Sequence, residues 1–170
     1  MTILLWTKQL ENGLERMDAT HREFVEHYNS VAEALKGGDG KAFLAAYDAF
    51  VEHTEAHFAQ ENRWMEAVDF PACHRGEHER VLAVLRDIRK RAANGDMFLA
   101  RRLVEELPTW FDGHTNGMDA ALAFHLQSVG YDVETGEFKP KADGASCADS
   151  PAGCACATLT ANPEPAAVQN

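Results

Sequence analysis

Between His53 and His78 the chain reads HTEAHFAQENRWMEAVDFPACHRGEH, and this stretch holds two pairs of polar residues at the same spacing, His57 with Glu61 and His74 with His78. On a helix turning about 100° per residue, groups four apart lie within about 40° and one turn of each other, so both can aim at one point. Each pair is therefore a potential chelate. Asp69-Phe70-Pro71 separates them. Proline lacks an N–H and disfavours helical geometry in the residue before it, so one helix stops here and another begins. The two helices are predicted to lie as antiparallel neighbours, each presenting a chelating pair to the other.

The rest of the chain supplies partners for those helices. Residues 1–17 read as an irregular arm, with Trp6 expected to pack over one end of the fold. A first helix is predicted from Asp18 or Thr20, either of which can cap it, and His21, Phe24, Val25, Tyr28, Val31, Ala32 and Leu35 recur at helical spacing. Gly37, Gly38 and Gly40 close it. The second helix is predicted over 41–68, with Phe43, Tyr47, Phe50, His57, Glu61, Met65 and Val68 inward. The third carries His74, His78, Val81, Leu82, Leu85 and Ile88 and ends at Asn94-Gly95. The fourth opens at Asp96, with Leu103, Leu107, Trp110, Phe111, His114, Met118, Ala121 and His125 on one face, and Pro108 is expected to kink or restart it. The prediction is an all-α fold, an up-down-up-down four-helix bundle over 1–135 with an N-terminal arm. Residues 136–170, rich in Ala and Gly and containing cysteine, are expected to form a disordered, flexible tail, because they hold almost no large apolar residue to bury.

Composition narrows the function. A formal charge of −11 argues against unspecific binding to nucleic acid or an anionic membrane, both of which need clustered Lys and Arg. No stretch approaches the roughly 20 apolar residues of a membrane span. The opening MTILLWTKQLENG lacks a basic leader and a long apolar run, so a cytoplasmic location and reduced thiols are expected.

The inward faces collect His21, His57, Glu61, His74, His78 and His114, spread over all four helices. A single histidine on such a stripe is usually a satisfied core residue, and a carboxylate is almost never buried unpaired. So many buried polar groups without a metal would need an improbable number of hydrogen-bond partners. Asp119 is a further candidate, but five residues after His114 it falls about 140° round an ideal helix. A one-residue π-bulge between Gly113 and Gly117 would turn it inward. Without one, it is an exposed helix aspartate.

With these residues in view the sequence resembles the hemerythrins, specifically single-domain bacterial hemerythrin-like proteins. The resemblance covers roughly 1–130 and rests on His21 in MDATHREF, HFAQE from His57 to Glu61, HRGEH from His74 to His78 and HTNGMD from His114 to Asp119, with Trp6 and Trp110 in support. It implies a centre of two iron ions bridged by Glu61, Asp119 and an oxo or hydroxo group. His74, His78 and His114 would saturate one iron, and His21 and His57 would hold the other, leaving a position open for dioxygen. Imidazole suits iron, and bridging carboxylates hold two cations close while offsetting their charge. The implied function is reversible dioxygen binding for storage, transport or delivery to a partner oxidase or oxygenase, by a monomer that is not primarily an enzyme. Oxygen or redox sensing, or peroxidase or nitric oxide scavenging chemistry at the same site, are the alternatives, and a structural zinc bundle is the bland one.

Three positions depart from the family pattern: Thr115, where a bulky aliphatic is usual, Asn62, where a second acidic residue often follows Glu61, and Trp64, where leucine is common. Thr115, if it lines the pocket, admits water and speeds autoxidation. His53 is expected at the rim, His125 roughly 16 Å along the axis from His114 and outside the centre, and His27 in solvent. Cys73 is expected to be a buried, inert thiol. Cys147, Cys154 and Cys156 lack zinc-ribbon spacing but are compatible with soft-metal binding or thiol exchange.

Overall fold

The computed structural model describes residues 3–139, so the expectations for Cys147, Cys154 and Cys156 lie outside the described residues. After a short 3-10 turn at Lys8–Leu10 come α1 (Glu15–Gly37), α2 (Gly40–Ala67), α3 (Cys73–Ala93) and α4 (Phe98–His114). A π-helical turn at Thr115–Asp119 then continues directly into α5 (Ala120–Ser128). Each helix packs on the next in sequence, and α1 and α4 touch to close the ring. This is the predicted four-helix bundle, with α4, the π turn and α5 forming one long final element.

The connections follow from backbone chemistry. Gly38 sits at φ 74°, the left-handed geometry that ends α1, and its N–H donates to the Leu35 carbonyl. Asp39 then caps α2, its carboxylate accepting from the amides of Lys41 and Ala42. At the α2–α3 break the left-handed residue is Asp69 (φ 51°), and the Phe70 N–H reaches back to the Met65 carbonyl at 2.9 Å. The helix has therefore been closed before Pro71 is reached. No helix among the described residues is long and apolar enough to cross a membrane.

Two predicted features differ. Helix α1 begins at Glu15, not at Asp18 or Thr20. Asp18 lies inside it, and its carboxylate turns back to accept from the amides of Asn12 (2.7 Å) and Gly13 (3.2 Å), fastening the arm instead of capping the helix. Helix α4 runs unbroken through Pro108. Proline at 108 removes the amide that would bond the Val104 carbonyl, and the Tyr28 hydroxyl of α1 donates to that carbonyl at 2.7 Å. A side chain from across the bundle thus fills the gap. Past α5, β1 (Tyr131–Asp132) and β2 (Glu137–Phe138) pair antiparallel across position 135, where the sequence suggested the tail would start.

The core is layered. A large apolar cluster includes Phe24, Tyr28, Tyr47, Phe50, Phe58, Leu85, Ile88, Val104 and Phe111. A smaller one, near the other end, joins Met17, Trp64, Met65, Phe70, Leu122, Ala123 and Leu126. Along α1, α2 and the final helix the candidate polar residues fall between members of the two clusters, as His21 does between Met17 and Phe24. The bundle carries a polar stratum between two apolar ones.

Candidate metal centre

All seven candidates meet in that stratum, at 0 to 5% exposure. Regular helix suffices for six: His21 from α1, His57 and Glu61 from α2, His74 and His78 from α3, and His114 from α4. The seventh needs the π turn. A π turn contains one residue more than the α-helix would, so everything after it advances by one position. Regular spacing put Met118, Ala121 and His125 inward; the structure buries Asp119, Leu122 and Leu126 instead, each at 0% exposure. The bulge hypothesised from Gly113 and Gly117 exists, and Asp119 faces the core because of it.

The distances sort the residues into two sets. Oε1 of Glu61 lies 3.0 Å from His57 Nε2 and 3.7 Å from His21 Nε2. Its Oε2 lies 3.3 Å from His78 Nε2 and 3.8 Å from His74 Nε2. Asp119 straddles in the same way, with Oδ2 3.2 Å from His21 Nε2 and Oδ1 3.1 Å from His74 Nε2 and 3.2 Å from His114 Nε2. His21, His57 and Glu61 form one group of convergent donor atoms; His74, His78, His114, Asp119 and Glu61 form the other. Glu61 belongs to both.

Protein groups alone do not satisfy this arrangement. Glu61 Oε2, both Asp119 oxygens and His21 Nε2 are buried with no hydrogen-bond partner among the described residues. The Nε2 atoms of His74 and His78 each lie 3.3 Å from that of His114, so lone pairs are pressed together wherever a proton is absent. Buried polar groups left this way cost on the order of 1–3 kcal/mol each, more when charged. Cations resolve the problem: they take the lone pairs and offset both carboxylates. Without them, protons do that work. Burial disfavours the charged form of His21, but the close carboxylates of Asp119 and Glu61 outweigh it and push its pKa up to about 10. Burial acts to raise both Glu61 and Asp119, and repulsion from Asp119 adds to it at Glu61, yet the histidines hold both well below the usual carboxylate range. Metal uptake must then expel protons.

Aromatic rings set the planes of the imidazoles. Phe58 stacks on His78 at 3.9 Å and 4°, and Trp110 stacks on His114 at 4.7 Å while its Nε1 donates to Glu77. Phe111 meets His21 edge-on at 5.6 Å, and Trp6 sits 6.3 Å from the same ring. Trp6 thus covers the His21 side. The residues that sequence reasoning missed here are Phe58, Glu77 and the role of Asn62. Asn62 Oδ1 lies 3.0 Å from His78 Nδ1. Phe58 and Asn62 share the four-residue spacing of His57 and Glu61, one position on, and that offset is the signal that marks them.

The remaining expectations divide. His53 lies at the rim, its Nε2 3.2 Å from the Thr20 carbonyl and its Nδ1 3.6 Å from Glu23. His125 packs beside Phe70, away from the cluster. His27 is half-buried, not in solvent, because it stacks on His53 at 4.9 Å. Cys73 is neither buried nor a thiol: it is exposed at the first residue of α3 and disulfide-bonded. Thr115 is fully buried, and its hydroxyl has no hydrogen-bond partner among the described residues.

Comparison with known proteins bears on the same stretch. Residues 12–123 match the family model described as the hemerythrin HHE cation binding domain. A protein named bacteriohemerythrin from Ralstonia nicotianae is 48% identical over 135 residues, which cover 78% of this chain and 96% of the relative. A bacteriohemerythrin from Stenotrophomonas maltophilia is 30% identical over 130 residues, 75% of this chain and 84% of its own length. One from Pseudomonas aeruginosa is 28% identical over 122 residues, 71% and 79% respectively. No solved structure matches the chain. A cation-binding family, matched across all seven inward polar residues, agrees with a stratum that needs cations to be satisfied: the chain belongs to the hemerythrin HHE cation-binding family.

Proposed function

We propose that the chain binds dioxygen reversibly at a non-haem di-iron centre, for storage, transport or delivery to a partner oxidase or oxygenase, and that it acts as a carrier more than as an enzyme. The observation that carries this reading is the unequal division of histidines around two shared carboxylates. Three imidazoles converge on one side and two on the other, so the second position keeps room for an exogenous ligand. Two irons bridged by an oxo or hydroxo group would supply reversible dioxygen binding there. His74, His78 and His114 would hold one ion, His21 and His57 the other, and Glu61 and Asp119 both. Imidazole with carboxylate is a donor set suited to iron, and the name of the relatives supports the same choice.

The protein's further contribution is exclusion of water. Phe111 stands edge-on to His21 and is itself stacked on Phe24 at 4.6 Å, so the two-histidine side faces apolar walls. Such walls keep protons from converting binding into oxidation. A second reading, redox sensing or peroxide chemistry at the same site, is favoured by one feature: Thr115, the residue after His114, carries a buried, unpartnered hydroxyl that can act as a proton donor.

The test is the visible spectrum of anaerobically reduced protein before and after air, with iron counted per chain. Two irons, a charge-transfer band that appears with oxygen and its loss under vacuum are expected. A band that bleaches within seconds to a stable ferric form would transfer support to the second reading. Absence of iron uptake would overturn both.

A further inference from the structure

The five histidines are not equivalent on the side that faces away from the centre. Nδ1 of His21, His57, His74 and His114 is buried with no hydrogen-bond partner among the described residues. Nδ1 of His78 has one, Asn62 Oδ1 at 3.0 Å. An imidazole that donates from Nδ1 keeps the lone pair on Nε2, and His78 Nε2 points at the cluster, 3.3 Å from Glu61 Oε2 and 3.3 Å from His114 Nε2. The ring has little freedom to do otherwise. Phe58, one turn before Asn62 on α2, lies flat against it at 3.9 Å. Two adjacent stripes of α2 therefore divide the work: His57 and Glu61 enter the centre, while Phe58 and Asn62 grip a ligand that belongs to α3.

We propose that Asn62 is a positioning residue for the metal centre: its carboxamide oxygen fixes His78 in the Nδ1–H form that presents Nε2 to the metal, and as a neutral acceptor it favours the reduced metal. The inference rests on the reading of His78 as a ligand and adds to it what sets that ligand's proton and donor strength. The charge matters because a carboxylate at 62 would draw the Nδ1 proton, make the ring a stronger donor and stabilise the more highly charged oxidation state. An amide accepts the same hydrogen bond without that effect. It also adds no third negative charge beside Glu61 and Asp119.

The experiment uses the full chain with Asn62→Leu and Asn62→Asp. In metal-free protein labelled with 15N-histidine, the wild-type His78 is expected to show a protonated Nδ1 and a bare Nε2, and Asn62→Leu is expected to lose that preference. A protonated Nε2 in the wild type, or a pattern unchanged by Asn62→Leu, would overturn the proposal. Anaerobic titration with ferrous ion supplies the second arm. Asn62→Leu is expected to bind about 10- to 100-fold more weakly, and Asn62→Asp, which can accept the same bond, to recover most of that affinity at a lower midpoint potential. A packing role alone would not produce rescue by Asp with a shifted potential, so equal potentials in wild type and Asn62→Asp would remove the charge half of the proposal. If the wild type takes up no iron, the function proposed above fails, and the metal-free nitrogen spectrum still decides what Asn62 does to His78.

Discussion

Helix α2 and the final helical element contribute to the same centre by opposite means. Helix α2 delivers His57 and Glu61 through nothing but the pitch of a regular helix, over 28 residues without an interruption. The element from Phe98 to Ser128 delivers His114 and Asp119 by breaking its pitch, in the π turn that follows His114. Regularity makes the first pair tolerant, since any substitution that keeps a helix keeps the spacing. Irregularity makes the second pair conditional, since five residues separate His114 from Asp119 and Asp119 faces inward only while the turn between them stays π-helical. The two pairs, brought to one place, thus have two different sensitivities to change.

Changing the residue count is the severest way to break that contrast. Deletion of Glu52, which is exposed in the regular helix α2, should turn His57, Glu61 and Met65 about 100° away from Phe43, Tyr47 and Phe50, so that one of the two sets leaves the core. Exposing two large apolar side chains at roughly 1.5–3 kcal/mol each predicts a fall in Tm of about 10 °C or more, together with loss of metal loading. Deletion of Asn116, which is exposed in the π turn, should instead convert that turn to regular helix, place Asp119 four residues after His114 and keep Asp119, Leu122 and Leu126 inward at a smaller cost; if both deletions cost the same, the bulge has no special standing.

Acid should act on both halves at once. Glu61 and Asp119 have pKa values depressed in the fold, so the stability they contribute is present above their unfolded values of 4.5 and 3.8 and is lost as pH falls through the folded ones. His21 has the opposite sign: raised to about 10, it contributes fully below 6.5, and that contribution is lost as pH rises through its folded value. Metal-free protein is therefore expected to be most stable between about pH 4.5 and 6.5 as far as these groups govern it, measured by denaturant midpoint across pH. Metal should move the optimum upward, because binding competes with protons on His21. An optimum indifferent to metal would contradict the assignment of His21 to the site.

A gentler comparison uses two buried tyrosines. Tyr28→Phe leaves the Val104 carbonyl facing the proline gap with neither a helical nor a side-chain donor, at an expected cost of about 1–3 kcal/mol. Tyr47→Phe removes a similar bond, to the Leu85 carbonyl at 3.0 Å, but in a helix without proline, and should cost about 1 kcal/mol or less. Equal losses in thermal unfolding would show that the gap at Pro108 is filled some other way. The smallest effect on stability is expected from Thr115→Ile beside the π turn. It should leave Tm near the wild type and slow autoxidation of the iron form by removing the buried hydroxyl; an unchanged rate would take Thr115 out of the argument.

What could be read from the sequence follows the same division. Helices α1 to α3 were legible because apolar residues and histidines repeat at one constant interval, and a constant interval is what sequence pattern encodes. The bulge was legible only as a condition on Asp119, suggested by Gly113 and Gly117, and assuming a regular helix put Met118, Ala121 and His125 one residue out of phase. The start of α1 was misread because Asp18 looks the same in sequence whether its carboxylate caps its own helix or ties down the segment before it. Asn62 was visible only as an unusual residue. Its meaning depends on α3 lying against α2 in one particular register, which no local pattern specifies.

The arm at the N-terminus gives the centre a timescale of its own. Trp6 lies beside His21 because Asp18 holds the amides of Asn12 and Gly13 and because Asn29 exchanges two hydrogen bonds with the backbone of Leu4. These few bonds are half-exposed, and segments held in this way open far more often than a packed core does. Exchange of an ion with solvent can then proceed by brief lifting of the arm while all the helices stay folded. How long the protein retains its metals becomes a matter of how firmly a dozen residues are fastened, and a bundle of high thermal stability could still be leaky.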